Sequence, residues 1–196
     1  RNDITDFTGL EAFVNLVTLN AGTNQFTTLP LTTLTVLEEL RFRNNQALAS
    51  LDLSQNVALK EFEIRASSAA PIPTIPSLDF SQNTALEKLD VSVFESITSL
   101  TFPVTTTLTD IDVAQLSVPV IDLSLLEGDI DFRIVGSRVN VNIIYPNLNT
   151  ALKRLELNSI DFPTVDVSRM IGLERFELSS TSTESFQLPN TNTLTS

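Results

Sequence analysis

Of the 196 residues, 24 are Asp or Glu and 12 are Lys or Arg, and neither His nor Cys occurs. That inventory removes thiol nucleophiles, disulfides, Cys/His zinc sites and every catalytic arrangement whose base is an imidazole. The remaining chemistry belongs to carboxylates, hydroxyls and cations. Asp110 and Asp112 have the types of a glycosidase pair, but a general acid needs an apolar pocket that keeps one carboxyl neutral. Side chains at alternate positions of an open strand are expected to stay wet. The hydroxyl-rich runs 105–107 and 179–183 have no base to activate them and read as turns. Five scattered glycines build no phosphate-binding loop, and no D-x-D-x-D-G calcium loop occurs. No catalysis, cofactor or metal site is expected, and a net charge of −12 argues against nucleic acid.

The elements that carry these groups repeat. An LxxLxL pattern opens at Leu16, Leu37, Leu59, Leu86, Leu108, Asp129, Leu152 and Leu173, with successive spacings of 21, 22, 27, 22, 21, 23 and 21 residues. Alternating apolar residues predict a strand with one face buried. Eight residues ahead of most openings stands a second apolar pair: Leu29/Leu31, Leu51/Leu53, Leu78/Phe80, Leu100/Phe102, Ile121/Leu123, Val165/Val167 and Phe186/Leu188. Ile144 lacks a mate because Pro146 occupies its place. Neither half of a unit can bury its apolar side alone, so the units must stack, with strands of successive coils parallel and in register. The spacing of 27 comes from an inserted Ala/Pro-rich loop near 66–77, expected to bulge without splitting the domain.

These coils resemble the leucine-rich repeat. Its LxxLxLxxNxL pattern is met by Leu16, Leu19, Ala21, Asn24 and Phe26, and nearly so by Leu37, Leu40, Phe42, Asn45 and Ala47. The phrases LDLSQNVAL from Leu51 and LDFSQNTAL from Leu78 look like bacterial surface repeats of internalin-like type. The resemblance implies a right-handed solenoid of about eight coils with a parallel sheet on its concave face, serving protein or polysaccharide recognition on a secreted or cell-surface bacterial protein. It implies residues 1–196 as one repeat domain, cut within a repeat at both ends and accompanied by neighbouring domains. The asparagine that closes the loop in this family is present only at Asn24 and Asn45; Ser67, Phe94, Leu116, Ser137, Ile160 and Thr181 stand there later, so those turns must be satisfied otherwise.

Outward positions of the strands form two rows. One runs Thr18, Glu39, Glu61, Lys88, Asp110, Asp131, Arg154, Arg175; the other runs Asn20, Arg41, Glu63, Asp90, Asp112, Arg133, Glu156, Glu177. With the flanking Arg43, Lys60, Arg65 and Lys153, this face holds nine of the 12 cations, leaving Arg1, Arg138 and Arg169 elsewhere. Around the fourth strand, Glu61, Glu63, Asp90, Asp110, Asp112 and Asp131 surround Lys88. Either such charges pair between strands and keep the surface soluble, or the carboxylates await a partner's cations. The candidate binding residues are Arg41, Arg43, Glu61, Glu63, Arg65, Lys88, Asp90, Asp110, Asp112, Asp131, Arg133, Arg154, Glu156 and Arg175. Phe42, Phe62, Phe132 and Phe176 fall on inward positions, so this face lacks aromatic anchors. A structural spacer that displays an adjoining domain is the alternative function. No apolar run is long enough to insert in a membrane.

Overall fold

The computed structural model describes residues 3–45, 47–66, 74–92, 96–137, 139–147 and 150–189. Its strands are β1 (Thr18–Asn20), β2 (Glu39–Arg43), β3 (Glu61–Arg65), β4 (Ser77–Asp79), β5 (Lys88–Ser92), β6 (Ser99–Thr101), β7 (Asp110–Ala114), β8 (Val120–Asp122), β9 (Ile130–Val135), β10 (Asn142–Ile144), β11 (Leu152–Asn158), β12 (Phe162–Asp166), β13 (Arg175–Ser179) and β14 (Thr183–Gln187). A short 3-10 turn at Leu10–Ala12 precedes them. Strands β1, β2, β3, β5, β7, β9, β11 and β13 form one eight-stranded parallel sheet, and the others pair as β4–β6, β8–β10 and β12–β14.

Every LxxLxL opening feeds a strand of the long sheet, and the registers follow the repeat. Thr18 faces Glu39, then Glu61, Lys88, Asp110, Asp131, Arg154 and Arg175. β3 pairs directly with β5, so the 27-residue spacing leaves the ladder unbroken. Most of that insertion, including Ile72, lies outside the described residues, whereas Ile75 at its end is fully buried. Leu40, Leu89 and Leu155 are fully buried, as inward positions require.

One inward assignment needs correction. In the sixth coil, β10 aligns Ile143, not Ile144, with the buried Ile121, and Ile144 is exposed. The cause is one extra residue: the β9–β11 ladder slips between Leu152 and Arg154, where Lys153 forms a bulge. The mate absent at Pro146 is Tyr145, half-buried beside Ile143 against the core. In the last described coil, Phe186 keeps the register of the buried Val165 and Leu178 that of the buried Leu157, but both are exposed, as is Leu188, with no described coil stacked beyond them.

Buried asparagines close the first coils. The Asn24 backbone N–H donates to Asn45 Oδ1 at 2.8 Å, and the Asn45 amide donates to the Ala21 carbonyl at 2.9 Å. A second ladder, missed in the repeat alignment, uses the asparagines of the SQN phrases. Asn56 donates to the Leu31 and Leu34 carbonyls, Asn83 to those of Leu53 and Asn56, and both are fully buried. Later turns are satisfied through the backbone. Gln115, Gly136, Ser159 and Ser180 leave the sheet with φ between 53° and 59°, as do Thr23 and Asn44 earlier. Strand pairing continues through these corners: the N–H of Gly136 donates to Asn158 O at 2.7 Å and that of Ser159 to Ser179 O at 2.8 Å. Ser137 and Leu116 replace the asparagine more weakly, with Ser137 Oγ donating to the Leu116 carbonyl at 3.3 Å. Ser67 and Phe94 lie outside the described residues.

Candidate functional site

Because side chains alternate across a strand, the in-register sheet stacks its outward residues as two continuous rows. The first contains Glu61, Lys88, Asp110, Asp131, Arg154 and Arg175, and the second Arg41, Glu63, Asp90, Asp112, Arg133 and Glu156. Arg43 and Arg65 face each other one position further along β2 and β3. All 14 candidate residues therefore share one face, as their spacing requires.

The carboxylate cluster around Lys88 is internally compensated. Arg41 reaches both Glu39, at 3.2 Å, and Glu61; Arg43 reaches Glu63 at 2.6 Å. Arg65 spans Glu63 at 3.5 Å and Asp90, where its Nε donates to Oδ2 at 3.0 Å. Lys88 pairs with Asp110 at 2.9 Å, and Arg133 bridges Asp112 at 2.6 Å to Glu156 at 3.1 Å. Arg154 lies 3.4 Å from Glu156, and Arg175 closes the row on Glu177. Each of these cations thus pairs with at least one carboxylate of its own or a neighbouring strand. Among the described residues, Asp131 is exposed and has no cationic partner.

The face is less uniformly wet than its alternation suggests. The Asp90 side chain is only 6% exposed, because a carboxylate one methylene from the backbone sinks between β3 and β7 and the Arg65 guanidinium covers it. Ser92 Oγ donates a further bond to it at 2.8 Å. Burial pushes the Asp112 carboxyl above the usual range, opposed by its bond and charge attraction to Arg133. Asp112 Oδ1 and Arg154 Nε are buried without a hydrogen-bond partner among the described residues. Lys88 is held above the ordinary lysine value by its bond to Asp110 and the surrounding negative charge. Phe42, Phe62 and Phe132 are buried beneath the rows and Phe176 is half-buried. Among the described residues no group of three or more acidic side chains has a geometry that could hold a metal ion.

No family model and no curated protein matches the chain. Among solved structures it is similar to the functional domain of InlJ from Listeria monocytogenes, described as including a cysteine ladder, at 17% identity and a TM-score of 0.35. The alignment covers 92% of this chain and 62% of that one, so the chain spans less than two thirds of that structure's length. The fold rests on this chain's own geometry: parallel strands carrying LxxLxL in register, with buried asparagines bonding the loops. The chain folds as a leucine-rich-repeat-like parallel β-solenoid. Its own buried ladders are of asparagine, since it has no cysteine. Among the described residues of the solenoid no helix is long and apolar enough to cross a membrane.

Proposed function

We propose that the solenoid is a non-catalytic recognition module of a bacterial secreted or cell-surface protein, and that its charged sheet face binds a protein. The observation that carries this reading is the ion-paired lattice itself. Long Arg and Lys side chains are already held between carboxylates, so a partner with complementary charges pays less ordering entropy on docking. A protein is favoured over a polysaccharide on this face because the rows carry no ring on which a sugar can stack. A spacer is the second reading, favoured by the near-complete internal pairing that a merely solubilising surface also shows.

Exchanging Lys88→Glu with Asp110→Lys, together with Asp131→Lys, separates the two. All three side chains are exposed, so the fold should survive, as circular dichroism would verify. Adhesion of the labelled protein to cultured cells is expected to drop at least about tenfold and to depend on salt in the parent. Unchanged adhesion, in which the parent and the variant respond alike to salt, would select the spacer.

A further inference from the structure

On the side of the core away from the long sheet, the short strands pair two by two, so β6 does not pair with β8, nor β10 with β12. In sequence, β10 and β12 flank the bulge at Lys153. A cleft of about 470 Å³ opens between the two strands, large enough for one or two sugar units.

The chemistry of this cleft differs from that of the ion-paired face. Its floor is apolar: Ile143, Tyr145, Phe162 and Met170. Its rim is polar and exposed, with the amides of Asn140 and Asn142 and the carboxylate of Asp166. Arg169 stands at the same rim, exposed and without an ion pair among the described residues. It is the only described cation of the three that lie off the long sheet, on a surface dominated by carboxylates. The Tyr145 hydroxyl has no hydrogen-bond partner among the described residues, and burial pushes its ionisation up to about 12, so it stays a neutral donor at physiological pH.

We propose that this cleft binds a carboxylate-bearing sugar unit of an acidic glycan, with the ring on Tyr145, the carboxylate on Arg169 and the hydroxyls on Asn140, Asn142 and Asp166. Asp166 Oδ1 already accepts the Ser168 N–H at 2.9 Å. A purely apolar acid would satisfy the floor and Arg169 but leave the rim amides of Asn140 and Asn142 and the second Asp166 oxygen to water, whereas sugar hydroxyls bond to all three. The site is separate from the sheet face and stands or falls independently of it.

The solenoid reports on this cleft by itself, because Tyr145 is its single tyrosine and it has no tryptophan. Tyrosine emission is followed while galacturonic acid, N-acetylneuraminic acid, galactose, methyl galacturonate and benzoate are titrated in turn. At least one of the two acidic sugars should give a saturable change. Galactose, the methyl ester and the Arg169→Ala variant should each bind at least about tenfold more weakly, as loss of a charge-assisted hydrogen bond predicts. Arg169 is exposed, so this variant should unfold like the parent. No saturable response to either acid, equal affinity for galactose, tighter binding of benzoate, or an unaffected Arg169→Ala variant would each overturn the assignment.

Discussion

The first and second halves of the solenoid build the same coil by different means. From β1 to β5, phenylalanines run through the core edge to face: Phe7–Phe26 at 4.9 Å, Phe26–Phe42 at 6.4 Å, Phe42–Phe62 at 5.8 Å and Phe62–Phe80 at 4.9 Å. Asn24, Asn45, Asn56 and Asn83 bond across the coils beside that spine. From β7 onward the core is mainly aliphatic, through Ile111, Val113, Ile134, Leu155 and Leu157. There the backbones themselves come close: a Cβ on Gly128 would lie 2.3 Å from the Thr106 carbonyl oxygen, and one on Gly172 2.5 Å from that of Thr150. Side-chain ladders of phenylalanine and asparagine fasten the first half. The second half, fastened by strand pairing and close turns, tolerates an unpaired edge between β10 and β12, and the cleft opens there.

The difference can be broken most severely at its aromatic centre. Phe62→Ala removes a ring that is 1% exposed and touches two others, and should cost about 3–5 kcal/mol in urea unfolding. Phe176→Ala, at a half-buried ring whose one described aromatic neighbour is the exposed Phe186, should cost less than half as much. Equal losses would erase the distinction between the halves. Asn83→Ala strips donors from the buried carbonyls of Leu53 and Asn56 and should cost about 1–3 kcal/mol, more than Thr107→Val, whose partners are the Thr84 and Leu86 carbonyls nearer the surface. The smallest effect is confined to alkaline pH. Tyr145 ionises near 12 when folded and near its ordinary 10 when unfolded, so its contribution is intact below pH 10 and lost as pH rises toward 12. An absorbance titration should show the one tyrosinate appearing near pH 12 in the folded protein; a midpoint near 10 would show that Tyr145 is solvated.

The strand rows were legible because a period of two inside a period near 22 leaves little freedom: once Leu37 and Leu40 point inward, Glu39 and Arg41 must point outward. Even the sixth coil, with Asp129 in place of leucine, kept its register with Arg154. The misassignment of Ile144 arose where that regularity fails, since a bulged residue shifts everything counted back from Leu152. The second asparagine ladder was visible as the SQN phrases, but composition cannot show that a polar side chain in a turn reaches a buried carbonyl of the preceding coil. Ion pairing was the least legible property. The residues at each row position follow from sequence, whereas the lean of Arg65 over Asp90 depends on side-chain rotamers and on how deeply a short carboxylate sits.

All of the sheet-face chemistry depends on outward residues of successive coils standing side by side, and the β9–β11 step is where one slip would displace them. The protein has no cysteine of its own, so paired replacements report cleanly on register. Asp131→Cys with Arg154→Cys places thiols on directly paired residues, about 4.8 Å apart at Cα and within disulfide reach. Asp131→Cys with Glu156→Cys displaces one thiol by two residues along the strand, beyond that reach. Mild oxidation should crosslink the first pair and leave the second free; crosslinking of the second pair in preference to the first would contradict the register and the surface built on it.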